Sequence, residues 1–136
     1  MAKLYTKNGD NGETFLLFGK KVSKLDARVQ CYGAIDECIS NLGAAYSLSV
    51  EKDDKDISDL ILKIQRTLFI ISSEIACPTE KYNDLKEKYK YINEEVITDL
   101  EKKIDKYQSI TPKINYFVLP GGSLISSFIY LYFSFK

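Results

Sequence analysis

The chain has 136 residues, of which 45% are hydrophobic and 28% charged, a composition that fits one globular domain with a real core. Its 19 basic and 19 acidic residues cancel, so the charge gives no reason to expect nucleic acid, and no lysine-rich tail is present to grip a membrane. Histidine is absent, which excludes His-ligated zinc enzymes, His-based triads and His general bases.

The first feature is the polar stretch Thr6-Lys7-Asn8-Gly9-Asp10-Asn11-Gly12-Glu13-Thr14, which precedes any periodic apolar pattern. Glycines allow tight turns and a close backbone approach to a ligand, and Thr and Lys can contact phosphate oxygens. Spacing alone leaves two readings open, an ordinary Gly/Asn/Asp hairpin or surface loop and an anion or nucleotide site. Residues 3–8 alternate weakly and suit a short extended arm. The run Phe15-Leu16-Leu17-Phe18 is too short to classify by period. A Walker A loop does not fit, because six residues separate Gly12 from Gly19 and no Ser or Thr follows Lys20. The N-terminus lacks a signal-peptide hydrophobic region, so a cytoplasmic location is expected.

Asp26 is a plausible cap for a helix over about 27–49, with Val29, Tyr32, Ile35, Ile39, Leu42 and Tyr46 as its apolar stripe. Gly33 and Gly43 lower its propensity, which close packing would justify. Asp36, Glu37, Ser40 and Asn41 lie on other faces. The three cysteines read as buried free thiols, with Cys31 and Cys38 two turns apart on a core stripe and Cys77 further on. If the opening loop binds phosphates, Lys7, Lys24 and Arg28 are the nearest cations. A magnesium site would draw on Asp36 or Glu37, although the sequence identifies no protein metal site by itself.

A second helix over about 54–76 carries Ile57, Leu60, Ile61, Ile64, Leu68, Ile71 and Ile75. Phe69 and Ile70 widen its stripe, as a central helix or a subunit contact requires. Pro78 follows its end. Residues 79–92 read as a loop or a partly helical excursion. Asn93 is read as the cap of a third helix with Val96, Ile97, Leu100, Ile104 and Tyr107 as its apolar face. Pro120-Gly121-Gly122 forms a sharp turn, and Ser123 caps an uncharged helix of about three turns from Leu124, too short for a bilayer. The expected fold is an all-α antiparallel helix bundle, a single domain over 1–136 whose nucleotide-binding loop occupies 5–24, with its last helix or helices incomplete.

Three blocks together resemble the PduO-type ATP:cob(I)alamin (corrinoid) adenosyltransferase family. They are Leu4-Tyr5-Thr6-Lys7 through Thr14; Val22-Ser23-Lys24 with Arg28-Val29, Tyr32-Gly33 and Asp36-Glu37; and Phe117 through Pro120-Gly121-Gly122. The resemblance covers almost the whole chain. It implies a ferritin-like five-helix bundle, a homotrimer with active sites between subunits, and no nucleic-acid or membrane partner. The implied reaction moves the 5′-deoxyadenosyl group of ATP to the cobalt of cob(I)alamin, which is a substrate, and releases triphosphate with Mg2+ accompanying the nucleotide. By resemblance, Thr6, Lys7, Asn8, Gly9, Thr14, Phe15 and Lys24 bind the nucleotide. Phe117 faces the corrin and keeps cobalt without its lower ligand, and Asp36 pairs with an arginine at the subunit boundary.

The family pattern continues after Pro-Gly-Gly as Ala-Arg-Thr-x-x-Arg-Arg-x-Glu-Arg. Counted from Phe117, its first arginine falls at Phe133 and the rest fall past Lys136. The expectation is therefore divided. One outcome is an adenosyltransferase, weakened by the altered end. The other is a catalytically inactive bundle that keeps nucleotide or corrinoid binding or serves as an assembly subunit.

Overall fold

A computed structural model describes Tyr5 and residues 7–134, with side chains described as far as residue 131. A hairpin of β1 (Glu13–Phe15) and β2 (Lys21–Ser23) leads into helix α1 (Ala27–Glu51). Helices α2 (Lys55–Ile75), α3 (Tyr82–Lys88), α4 (Glu94–Ile110) and α5 (Leu124–Ser134) follow. The fold is an all-α bundle with this small hairpin at its start.

Local chemistry sets the helix ends. Asp26 accepts a 2.9 Å hydrogen bond from the Arg28 N–H, and Asp54 and Asn93 cap α2 and α4 through the N–H groups of Ile57 and Val96. Ser123 does the same for α5 through Ser126. An Asp26→Ala variant is expected to lose about 1 kcal/mol of stability in urea unfolding, the usual loss when a side-chain cap is removed. A short turn reverses the chain between α1 and α2: Asp53 adopts φ 56° and the Asp54 N–H bonds to the Ser49 carbonyl.

The core forms where α1 lies between α2 and α5. Cys38, Leu42 and Ala45 of α1 meet Ile61 and Leu68 of α2, and Ile125, Phe128 and Ile129 of α5 pack against them. The buried line on α1 runs Cys38, Leu42, Ala45, Ser49, about one position away from the aromatic-rich stripe read from sequence. Small residues sit deepest because two helices approach this face, and Ile35, Ile39 and Tyr46 flank it half-buried. Ser49 and Ser58 are buried without an unpaired hydroxyl, since each donates to a carbonyl one turn back, Tyr46 and Lys55 respectively.

Two expectations need correction. Cys31 is exposed, so only Cys38 and Cys77 are buried thiols. Cys31 continues the α1 stripe, but it lies a turn or more before the first residue that α2 and α5 cover. Gly33 has nothing within 4 Å of a would-be Cβ, so packing does not explain it, whereas a Cβ on Gly43 would meet Gln65 Nε2 at 3.5 Å, an ordinary contact. Gln65 Nε2 donates to the Ile39 carbonyl of α1 at 2.9 Å. The segment 79–92 is partly helical, as expected: it holds a single 3₁₀ turn, Thr79–Lys81, and then α3, anchored by the fully buried Leu85.

Helix α4 runs antiparallel to α2, as its ion pairs require: Asp99 joins Lys63, and Lys106 joins Asp56 further back along α2 at 2.8 Å. Its apolar face stays open, with Ile97, Leu100 and Ile104 all exposed. No helix among the described residues is long and apolar enough to cross a membrane.

Candidate functional site

The opening loop is built by two successive turns, from the Asp10 N–H to the Lys7 carbonyl and from the Gly12 N–H to the Gly9 carbonyl, both 3.3 Å. Gly12 has φ 77°, a left-handed conformation that costs a residue with a Cβ about 1–2 kcal/mol. Lys7 also lies there, at φ 60°, with its ammonium 6.0 Å from the Tyr5 ring centroid. Next the hairpin pairs Glu13 with Ser23, Thr14 with Val22 and Phe15 with Lys21. Lys21 also forms an ion pair with Glu13 across the strands. Strands of three residues carry no readable period, which is why the sequence showed only a short apolar run.

The return strand brings Lys24 back over the loop. The Lys24 N–H donates to the Gly12 carbonyl at 2.8 Å, and the Lys24 carbonyl accepts from Gln30 Nε2 at 2.8 Å. Both backbone polar groups of Lys24 are therefore held, one by the loop and one by the first helical turn. A Cβ on Gly9 would lie 3.2 Å from Lys24 Cε and Nζ, so glycine lets the lysine head close on the loop backbone. Lys24 has no ion pair among the described residues. The result is an exposed cation beside a glycine-rich turn, an arrangement suited to an anionic group.

The hairpin is also fixed from below. Leu16 is buried, the Leu17 N–H donates to the Ala76 carbonyl at 2.9 Å, and Lys20 pairs with Glu80 at 3.0 Å. Arg28, expected as a third phosphate cation, turns the other way. Its guanidinium donates to the Cys77 carbonyl at 3.3 Å and to Thr79 Oγ1 at 3.1 Å. Glu74, one turn earlier on α2, accepts from the Tyr82 hydroxyl and the Ile92 N–H, both at 2.6 Å. That bond to Glu74, helped by burial, holds the Tyr82 hydroxyl above its ordinary pKa.

Of the sequence-derived site residues, Lys7, Asn8, Gly9, Thr14 and Lys24 share this loop and hairpin. Thr6 lies outside the described residues. Phe15 is exposed in β1. Asp36 is exposed on α1, ten residues past the Asp26 cap, which places it about 15 Å along the helix. It has no ion pair among the described residues. Its charge, after burial and Asp26, helps push the Tyr32 hydroxyl above its usual pKa. Phe117 is fully exposed in the connection between α4 and α5, flanked by exposed Tyr116, Val118 and Leu119. The described residues bring neither Asp36 nor Phe117 to the loop.

Gln30 escaped sequence reasoning. Its role depends on where the hairpin returns, and a polar residue in a first helical turn carries no such signal. A groove of about 800 Å3 lies between α2 and α4, lined by Leu60, Ile64, Leu100, Ile104 and Tyr107 among others, and no loop residue borders it. No group of three or more Cys, Asp or Glu side chains among the described residues is placed to hold a metal ion. Asp36 and Glu37 have no third such side chain beside them among the described residues.

Residues 4–132 match the family model described as cobalamin adenosyltransferase. The chain belongs to that family. The corrinoid adenosyltransferase of Citrobacter freundii is 35% identical over 127 residues, covering 93% of this chain and 69% of the relative. That of Bacillus subtilis is 38% identical over 130 residues, covering 95% and 64%. Among solved structures, a variant PduO-type ATP:corrinoid adenosyltransferase from Lactobacillus reuteri, complexed with cobalamin and ATP, superposes with a TM-score of 0.83 at 33% identity. That match covers 96% of this chain and 70% of the other. A second variant of the same enzyme, complexed with ATP, gives a TM-score of 0.81 at 34% identity. The chain thus spans about two thirds of the length of these adenosyltransferases.

Proposed function

We propose that this member of the cobalamin adenosyltransferase family transfers the 5′-deoxyadenosyl group of ATP to the cobalt of cob(I)alamin, forming adenosylcobalamin and triphosphate. The observation that carries the reading is the Lys24 ammonium seated over Gly9, beside the turns of residues 7–12. In this reading Thr6, Lys7, Asn8 and Gly9 cradle the nucleotide, Thr14 and Phe15 give it a second contact, and Lys24 neutralises the phosphate chain. Phe117 presents an apolar face to the corrin and excludes a lower axial ligand. The cobalt electron pair forms the bond to C5′, the C5′–O5′ bond breaks, and its electrons leave on the triphosphate. The protein's share is orientation, charge neutralisation and removal of water, none of which needs a histidine. Mg2+ would arrive with the nucleotide and offset phosphate charge, and no step is routed through it. The exposed residues Phe69, Phe117 and Leu119 suit burial between subunits of a homotrimer.

A second reading, binding of nucleotide or corrinoid without turnover, is favoured by Asp36, which has no cationic partner among the described residues. Anaerobic incubation with ATP and cob(I)alamin separates the two. Loss of the cob(I)alamin spectrum with growth of a light-sensitive alkylcobalt spectrum supports transfer. Calorimetric binding of both substrates without that change supports the second reading.

A further inference from the structure

The first turn of α1 supports the loop at two places, and one of them acts at a distance. Gln30 holds the Lys24 carbonyl directly. Arg28, two positions earlier, instead holds the junction that follows α2, through the Cys77 carbonyl and the Thr79 hydroxyl. Cys77 and Pro78 are buried there, and α2 has already ended at Ile75, so the Ala76 and Cys77 carbonyls take partners outside the helix, the Leu17 N–H and Arg28. The other side of the same junction carries the hairpin, through the Ala76 carbonyl that receives the Leu17 N–H and through Glu80, which pairs with Lys20.

We infer that Arg28 is a positioning residue for the nucleotide, acting through the 76–80 junction on the hairpin that aims Lys24 and the 7–12 loop. The inference rests on the nucleotide reading of that loop proposed above. The connections close a ring: α1 to the junction through Arg28, the junction to the hairpin, the hairpin to the loop, and the loop back to α1 through Lys24 and Gln30. A ring of this kind restricts the loop before any ligand arrives, so less ordering remains to be done on binding. If Arg28 is removed, the hairpin keeps Leu17 and Lys20 on a junction that is itself no longer tied to α1. Both terminal guanidinium nitrogens already have oxygen partners at the junction, which sets Arg28 apart from Lys7 and Lys24 as a ligand for phosphate. Thr79 is the means of testing this, since its hydroxyl is exposed, takes only the far end of the chain of contacts, and touches no residue of the loop.

The experiment is a double-mutant cycle of Arg28→Met and Thr79→Val, read by calorimetric titration with ATP and separately with a corrinoid, alongside thermal unfolding. Wild-type protein is the first arm, and its failure to bind ATP would remove the nucleotide reading itself. With wild-type binding in hand, Arg28→Met is expected to raise the ATP Kd about ten-fold and Thr79→Val about three-fold. The double variant is expected to match Arg28→Met alone, with corrinoid affinity and the Thr79→Val melting temperature unchanged. If Arg28→Met does not fold, the three-fold effect of Thr79→Val still decides the matter. Unchanged ATP affinity in Thr79→Val overturns the inference, because an effect confined to Arg28 would mark direct contact. Parallel losses of ATP affinity, corrinoid affinity and melting temperature also overturn it, since they would reduce Arg28 to general support of the fold.

Discussion

Lys24→Ala is expected to weaken ATP binding about 100-fold while leaving the fold intact, as measured by calorimetric titration beside a thermal melt. The side chain is exposed and its ammonium rests on the loop with no ion pair among the described residues, so its removal strips no support from the core. Such surface substitutions usually change stability by about 0.5 kcal/mol or less. A charge-assisted bond to a phosphate oxygen contributes about 2–3 kcal/mol, and about 1.4 kcal/mol is a factor of ten in Kd. The backbone bonds of Lys24 to Gly12 and Gln30 survive the substitution, so the loop keeps its shape and only the charge is lost. An ATP affinity within two- or three-fold of wild type would remove Lys24 from the site.

Ile61→Ala should have the opposite profile, with a loss of about 3–4 kcal/mol in stability measured by urea unfolding. Ile61 is 2% exposed and sits between Cys38, Leu42 and Ala45 of α1 and Leu68 of its own helix. Truncation leaves a cavity that two rigid helices can only partly collapse. For a domain whose whole stability is about 5–15 kcal/mol, that is a large fraction. Phe69→Ala, on the same helix but 65% exposed, serves as the control and is expected to change stability by about 0.5 kcal/mol or less in the isolated chain. Equal effects at the two positions would mean that the α1–α2 interface is not where the core lies.

Much of the bundle was legible because its signals are local. Asp26, Asn93 and Ser123 are short polar side chains ahead of apolar periods, and caps at those positions are chemically determined. The hairpin was not legible, because three paired residues have no period and its stability comes from Leu16, Leu17 and Lys20 meeting the distant segment 76–80. The same limit applied to Cys31. Its spacing from Cys38 fits one stripe, but whether a stripe position is covered depends on where α2 and α5 end, and a single-helix pattern does not contain that.

The candidate site was legible in a different way. Lys7, Gly9 and Lys24 could be recognised as a motif, and the turns that place Lys24 over Gly9 supply its physical basis. Arg28 belongs to the same motif by sequence and to the scaffold by geometry, a distinction only its partners Cys77 and Thr79 reveal. Asp36 and Phe117 stand exposed and apart from the loop, so their part in the motif has no counterpart in the contacts of the described residues.

The most direct test of the proposed activity is product identification. The natural protein is mixed anaerobically with ATP and cob(I)alamin, and the corrinoid and the nucleotide fragment are resolved together by mass spectrometry. The expected result is adenosylcobalamin and intact triphosphate in equal amounts, formed only with protein present. ATP and corrinoid both bound but recovered unchanged after prolonged incubation would contradict it.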